Sequence, residues 1–171
     1  TCSVIIFYIM NLYFIASHAN FGKMKENLKN MWPAWLTGFS TMSSTATMPL
    51  TLQATEKNLK DKELARLIIP TTTNIHMLGD ALGIPLLALG VIAISGGAMP
   101  DFFHYSVFVF SFCLAKFSGV GVPGGTILIM LPVLQQYLFL DASMSSLITT
   151  LYILQDPIFT SSSVLGNGAI A

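Results

Sequence analysis

Residues 74–85 read NIHMLGDALGIP and interrupt a long apolar run that extends from residue 64 to residue 95. The interruption combines polar side chains with two glycines and a proline, which weaken or break a regular helix. A lipid-spanning helix tolerates such a break only where protein or enclosed water satisfies its free backbone groups. The sequence therefore predicts a membrane-spanning helix over 64–98 that is unwound in its middle.

The composition also indicates a membrane protein. Of the 171 residues, 53% are hydrophobic and 9% are charged, and the mean hydropathy is +0.69. A soluble domain carries about 25% charged residues, so this chain has too few charges to cover a water-facing surface. The net charge is zero, which excludes a basic face for nucleic acid. Cys2 and Cys113 lie in apolar runs without the spacing of a disulfide framework or a metal site.

Basic residues predict how the first half of the chain meets the bilayer. All of them except Lys116 lie in two stretches, 19–30 and 56–66, and basic loops mark the cytoplasmic side. The apolar segment between them, 31–55, is therefore expected to enter and leave on one face, as a re-entrant hairpin that turns near Ser43–Pro49. The alternative is a pair of oppositely directed helices, in which case the basic loops do not mark the same side of the membrane.

A second Gly- and Pro-rich stretch predicts another hairpin. KFSGVGVPGG at 116–125 separates two apolar limbs, and the last apolar helix is expected to be interrupted at 155–157 and by the Ser/Thr run at 160–163. The predicted order is a helix at 1–20, a first re-entrant hairpin with basic flanks at 21–63, the broken helix at 64–98, a second re-entrant hairpin at 99–141 and a final helix at 142–171. Inverted repeats with interrupted segments are typical of secondary transporters, so we expect an all-α integral membrane protein of that class. Because the chain begins and ends in apolar sequence, we also expect it to be part of a longer protein.

Four ionisable side chains lie inside the apolar segments: His76, Asp80, Lys116 and Asp156. An ionised group at the centre of a lipid-spanning helix costs about 2.5–3.5 kcal/mol on insertion scales, so such residues line a polar cavity or pair with one another. His76 and Asp80 are four apart and would share one face of a regular helix. We expect this pair to hold a proton during transport; the alternatives are a purely structural hydrogen bond there and a Lys116 that extends to the interface.

Four motifs, in order along the whole chain, resemble the dicarboxylate/amino acid:cation symporters, which include the glutamate transporters. The first hairpin tip of that family is similar to FSTMSSTATMPLT (39–51), its unwound seventh helix to PTTTNIHMLGDAL (70–82), its second hairpin tip to SGVGVPGG (118–125) and its final helix to DPIFTSSSVLGNGAIA (156–171). The resemblance implies a C-terminal, substrate-carrying fragment of a transporter rather than an enzyme, with the second hairpin as an extracellular gate. It further implies a multi-pass protein of the cell or inner membrane, in contact with lipid, that forms a homotrimer at full length.

Departures from the family pattern concern its cation sites. The family motif Asn-Met-Asp-Gly-Thr is matched by residues 76–80, HMLGD, so that His76 replaces an Asn ligand and Leu78 replaces a sodium-binding Asp. Lys116 falls where the family offers a backbone oxygen to another sodium ion, and Asn167 stands for a second sodium-binding Asp. We therefore expect weak or lost sodium coupling, with protons or the charge of Lys116 in its place, and no other cofactor. The candidates for cation coupling are Thr72, Asn74, His76, Asp80, Lys116, Ser163 and Asn167.

The substrate is predicted from the last helix. Asp156 matches the Asp that binds the substrate ammonium in the family, whereas Phe159 replaces the Arg that pairs with a side-chain carboxylate. Because that bidentate contact is lost, a neutral amino acid is a better prediction than glutamate. The candidate substrate-binding residues are Ser43, Ser44, Thr45, Asp80, Val122, Pro123, Gly124, Asp156, Phe159, Thr160 and Ser163.

Two other functions stay open at this point. The loss of cation ligands also fits a diverged family member that is uncoupled or does not transport. An intramembrane aspartyl protease could pair Asp80 with Asp156, although Met77 stands where its Gly-x-Gly-Asp motif has the first glycine.

Overall fold

A computed structural model describes residues 1–118 and 121–171, and within these ranges every regular element is an α-helix. The helices are α1 (Cys2–Ala16), α2 (Phe21–Thr41), α3 (Ser44–Asn58), α4 (Lys62–Ile75), α5 (Leu78–Ile94), α6 (Phe102–Lys116), α7 (Gly125–Leu138) and α8 (Ala142–Ile170). The all-α class predicted from the sequence is confirmed.

Helices α2 and α3 form a hairpin with a shorter turn than the sequence indicates. Met42, in the left-handed region, and Ser43 make the turn, and Ser43 Oγ caps α3 by accepting a hydrogen bond from the Ala46 amide. We expected the turn to extend to Pro49, but that residue lies inside α3. A proline removes only one backbone hydrogen bond, and packing of α3 against α2, α4 and α8 keeps the helix intact.

The break between α4 and α5 is confined to His76 and Met77, so the prediction of an unwound stretch over 74–85 is wrong for most of its length. Gly79 lies in the first turn of α5, where a Cβ atom would come within 2.0 Å of the Phe159 carbonyl oxygen on α8. At Gly83 a Cβ atom would meet the Phe159 ring at 2.5 Å. These glycines therefore serve the close approach of two helices rather than an unwinding of one.

Helix α8 is continuous, in contrast to the predicted interruptions at 155–157 and 160–163. Three hydroxyl groups of its Ser/Thr run, those of Thr160, Ser161 and Ser163, bond to groups of the same helix. Ser163 Oγ, for example, donates to the Phe159 carbonyl oxygen at 2.9 Å. Such bonds satisfy the hydroxyl groups within the helix, so a polar run does not require an interruption. Its neighbours are α1, α2, α3, α4, α5 and α7, so α8 is the central element of the packing.

Helices α6 and α7 pack against each other as the arms of a second hairpin. Asp101 caps α6 by accepting a hydrogen bond from the His104 amide at 3.1 Å. The side-chain hydrogen bond with His104 holds the pKa of Asp101 below its ordinary value. The predicted tip includes Gly119 and Val120, which lie outside the described residues.

Few helices of the described residues are long and apolar enough to cross a membrane. The stretch Lys62–Ile94, which contains α4 and α5, has 33 residues and is long and apolar enough to cross a bilayer. Helices α1 and α2 pass the same criterion only when taken together, and they are bent by 117°. Helices α6 and α7 are apolar but shorter. How the two hairpins are oriented relative to a bilayer stays a prediction.

The contact between α5 and α8 can be tested with glycine substitutions. Gly79→Ala is expected to lower the stability of the folded protein by about 1–3 kcal/mol, because the new methyl group can be accommodated only if the two helices separate. Gly90→Ala, on the same helix, is the matched control, since a Cβ atom there meets nothing within 4 Å.

The measurement is the thermal unfolding temperature in detergent. Gly90→Ala should leave it unchanged or raise it slightly, since alanine favours a helix over glycine. Equal unfolding temperatures for the two variants would contradict the close packing of α5 on α8.

Candidate functional site

A buried carboxylate, Asp80, is the centre of the first polar cluster. It lies in the first turn of α5 and is 7% exposed. Its Oδ2 atom accepts hydrogen bonds from Lys116 Nζ at 2.8 Å and from Thr126 Oγ1 at 3.2 Å. Its Oδ1 atom accepts a hydrogen bond from the Tyr152 hydroxyl at 2.8 Å. Both carboxylate oxygens therefore have donors, and the negative charge has a cation of the same chain beside it.

Lys116, at the end of α6, does not extend to an interface, which was one reading of the sequence. The residue is 7% exposed, and its ammonium group also lies 3.3 Å from Met77 Sδ. Burial of a charged amine is tolerated where a carboxylate and further hydrogen bonds compensate its lost hydration. The pair with Asp80 provides that compensation, so Lys116 is an internal cation at this position.

The two hairpin tips meet beside the second buried carboxylate, Asp156. Ser43 Oγ donates a hydrogen bond to the Gly121 carbonyl oxygen at 2.7 Å, which joins the first tip to the second. Asp156 accepts hydrogen bonds from the Gly124 amide at 2.9 Å and from Thr160 Oγ1 at 3.0 Å. Among the described residues Asp156 makes no salt bridge. Its hydrogen bonds therefore come from two neutral donors, an amide and a hydroxyl group.

Gly121 shows how closely the tips approach each other. A Cβ atom at that position would come within 3.0 Å of Thr45 Oγ1 and 3.3 Å of Ser44 Cβ. Ser43 and Ser44 are buried, whereas Thr45 is exposed. The predicted substrate-binding residues of the first tip thus lie against the described part of the second tip. Val122 and Pro123 of the second tip are exposed.

His76 binds a different partner from the one predicted. Its Nδ1 atom lies 3.2 Å from Asn167 Oδ1 on α8, and Asp80 is bound by three other side chains. The prediction of a proton-holding His76–Asp80 pair is therefore wrong. The prediction failed because α4 ends at Ile75. Residues on either side of a helix break no longer share one helix face.

The other cation-coupling candidates lie around the same break, but each has its own contact. Thr45 Oγ1 donates to Asn74 Oδ1 at 3.4 Å, and Thr72 Oγ1 bonds to the Ile68 carbonyl oxygen of its own helix. Ser163 Oγ accepts a hydrogen bond from the Gly79 amide at 3.0 Å, close to the start of α5. In the described part of the chain no three His, Cys, Asp or Glu side chains are arranged to hold a metal ion.

Phe159 has a different environment from the predicted one. We expected it to form the apolar end of a substrate pocket, but the side chain has no exposed surface. Its ring fills the space over Gly83 and lies 5.7 Å, between centroids, from the Tyr152 ring. Phe159 therefore belongs to the packing of α5 on α8.

Tyr152 and Thr126 are polar partners of the site that sequence reasoning missed. Tyr152 precedes Asp156 by four residues on α8, and Thr126 follows Gly124 by two. Apart from Lys116 on α6, the donors to the two carboxylates therefore lie on α8 and at the start of α7. The spacing of Tyr152 from Asp156 was the one available signal, since residues four apart share a helix face.

Comparison with known proteins gives the class of the chain. It matches the Sodium:dicarboxylate symporter family over residues 1–171. It is similar to an excitatory amino acid transporter of Caenorhabditis elegans, with 32% identity over 141 residues, which cover 82% of this chain and 28% of that protein. The same name and the same identity apply to a relative from Onchocerca volvulus. Excitatory amino acid transporter 2 of Homo sapiens is 27% identical over 157 residues, which cover 91% of this chain and 26% of that protein.

The fold and these matches define a helical membrane protein. The chain belongs to the Sodium:dicarboxylate symporter family, which confirms the resemblance drawn from its four motifs. The prediction that it is not an enzyme is likewise confirmed by a family and relatives that are transporters, which leaves the aspartyl protease without support. The chain spans about a quarter of the length of these relatives.

Proposed function

We propose that the full-length protein containing this chain is a secondary active transporter of amino acids or dicarboxylates, and that the chain is its substrate-carrying part. The observation that carries the proposal is the contact of the two hairpin tips, Ser43 Oγ to the Gly121 carbonyl oxygen, beside the buried Asp156. In the proposed carrier both hairpins are re-entrant and, with α4–α5 and α8, form an inverted repeat. A solute site at the meeting point of two such repeats is the usual design of secondary transporters.

For the coupling ion, we propose that side chains of this protein occupy two sodium positions, a charged Lys116 at one and the hydrogen-bonded His76 and Asn167 at the other. The family resemblance assigns sodium ligands at the positions of Lys116, His76 and Asn167. In this chain the Lys116 ammonium is paired with Asp80, and the His76 ring is hydrogen-bonded to Asn167. A fixed ammonium at 2.8 Å from a carboxylate repels a second cation that would use the same oxygens. Sodium would then be weakly coupled or uncoupled, and protons are the proposed alternative.

For the substrate, we propose a neutral amino acid. Asp156 has amide and hydroxyl donors but no salt bridge among the described residues, which favours a substrate with an ammonium group. The position that carries Arg in acidic-amino-acid carriers is Phe159, whose ring is buried. The site then lacks the planar, two-pronged cation that a second substrate carboxylate requires.

The assembly and location are also proposals, and both rest on the family resemblance. We expect a homotrimer of the full-length protein, embedded in the cell membrane or inner membrane and surrounded by lipid. A second candidate function is that of an uncoupled or non-transporting family member. The internal contacts of Lys116 and His76 favour this second function, because they occupy the two positions where the family resemblance places sodium ions.

The coupling proposal is tested by uptake into liposomes that contain the purified full-length protein. Replacing external sodium with choline at fixed pH is expected to leave the uptake rate of a neutral amino acid nearly unchanged, because Lys116 supplies the charge that sodium would bring. An inward proton gradient is expected to raise that rate.

Protein-free liposomes and the Asp156→Asn variant are the controls for leak and for uptake without the site. A steep sodium dependence at fixed pH would contradict the coupling proposal. No uptake of any amino acid or dicarboxylate, with or without ion gradients, would instead favour the non-transporting alternative.

The substrate proposal is tested by binding. Asp156→Asn keeps the shape of the side chain but removes the charge that pairs with a substrate ammonium. Since a hydrogen bond to a charged group contributes about 1.5–3 kcal/mol, we expect a loss of roughly tenfold to a hundredfold in affinity for neutral amino acids. Affinity is measured from the ligand-dependent rise in unfolding temperature of the full-length protein.

Glu26→Gln, an exposed carboxylate on α2, is the matched control and should keep the affinity of the unaltered protein. Tighter binding of succinate than of any amino acid would overturn the assignment of Asp156 to a substrate ammonium.

A further inference from the structure

Asp80 is bound by both arms of the hairpin α6–α7. Lys116 is the last residue of α6, and Thr126 is the second residue of α7. Both donate to the same atom, Asp80 Oδ2, at 2.8 and 3.2 Å. The ends of the two arms that are nearest the tip are therefore joined to α5 through one carboxylate oxygen.

Tyr152 fixes the orientation of that carboxylate. Its hydroxyl group donates to Asp80 Oδ1 at 2.8 Å, which leaves Oδ2 facing the hairpin. The Tyr152 ring packs against Phe159 and is almost fully buried. The phenol therefore has little freedom to move away from Asp80.

Two further contacts hold the described part of the tip itself. The Gly124 amide donates to Asp156 Oδ2, and the Gly121 carbonyl oxygen accepts from Ser43 Oγ. Together with the Asp80 contacts they join the hairpin to α3, α5 and α8 through groups of the protein alone.

Separation of the hairpin from α5 would break charged hydrogen bonds in a buried environment. Asp80, Lys116 and Thr126 are all buried. Charge-assisted hydrogen bonds are stronger than neutral ones, and a low local dielectric strengthens them further and makes an unpaired group costly. Separation of the hairpin from α5 would therefore leave the Asp80 and Lys116 charges without their present partners.

We propose that Asp80 is the anchor of the hairpin α6–α7 and that Thr126 and Tyr152 are positioning residues for it, so that these contacts hold the hairpin against α5 and α8. This inference rests on the proposed carrier function, in which the hairpin is the moving element. Opening then begins with the loss of the Lys116–Asp80 and Thr126–Asp80 contacts.

The test measures the distance between the two hairpins. Spin labels are attached at Ala46→Cys on α3 and Val122→Cys on the second tip, both exposed positions, in full-length protein in lipid with all other cysteines replaced by serine. Pulsed electron resonance without substrate is expected to give one dominant short distance. Thr126→Val and the double variant Asp80→Asn/Lys116→Met are each expected to raise the open-to-closed ratio by about tenfold, because each removes an anchoring contact.

Tyr152→Phe is expected to produce a smaller shift in the same direction. Tyr137→Phe, on α7, and Lys23→Met, on α2, are the matched controls and should keep the short distance. The double variant leaves no unpaired charge, so a merely structural pair would restore the closed distance, whereas an anchor would not.

The closed distribution in both Thr126→Val and the double variant would overturn the inference. Uptake by the unaltered protein is measured separately. If uptake is absent but the distances change as expected, the carrier function is contradicted and the role of Asp80 as anchor is supported. If uptake is normal but the distances do not change, the anchor is contradicted and the carrier function is supported.

Discussion

The ion pair between Asp80 and Lys116 is the constraint on which the polar interior of this protein depends. Each charge is buried, and each is compensated by the other at 2.8 Å. Removing one partner of a buried pair leaves an uncompensated charge and lowers the free energy of unfolding by about 3–5 kcal/mol. Replacing both partners with apolar side chains of similar volume changes that free energy much less. The positions of α5 and α6 are therefore linked by electrostatics, although their backbones are joined mainly through other helices.

Close packing of α5 on α8 brings the groups of the site into range. Gly79 and Gly83 let the two helices approach until Phe159 fills the gap between them. That approach allows the hydroxyl group of Tyr152, on α8, to reach Asp80 on α5. The glycines thus contribute to the site without touching a solute, since a wider spacing of the helices would separate the donor from the carboxylate.

The sequence predicted the helical class and the polar residues, and it failed where the outcome depends on a partner distant in the chain. Gly79 and Gly83 weaken an isolated helix, so they indicated unwinding, and only Phe159 shows that they serve packing. The pairing of His76 with Asp80 followed from helical spacing, but α4 ends before His76. Family membership followed from motif order, and the comparisons confirm it.

Lys116 illustrates both the reach and the limit of sequence reasoning. Its position in an apolar segment indicated a functional charge or an interfacial one, and its proposed role in place of sodium came from the family resemblance. Its partner could not be predicted, because Asp80 lies 36 residues away on another helix. In the folded protein these two charges compensate each other.

A double-mutant cycle measures this compensation. The free energy of unfolding is measured for the unaltered protein, Asp80→Asn, Lys116→Met and the double variant. We expect a loss of about 3–5 kcal/mol in each single variant, a double variant close to the unaltered protein, and hence a large coupling energy. Additive single effects, with a coupling energy below about 0.5 kcal/mol, would contradict it.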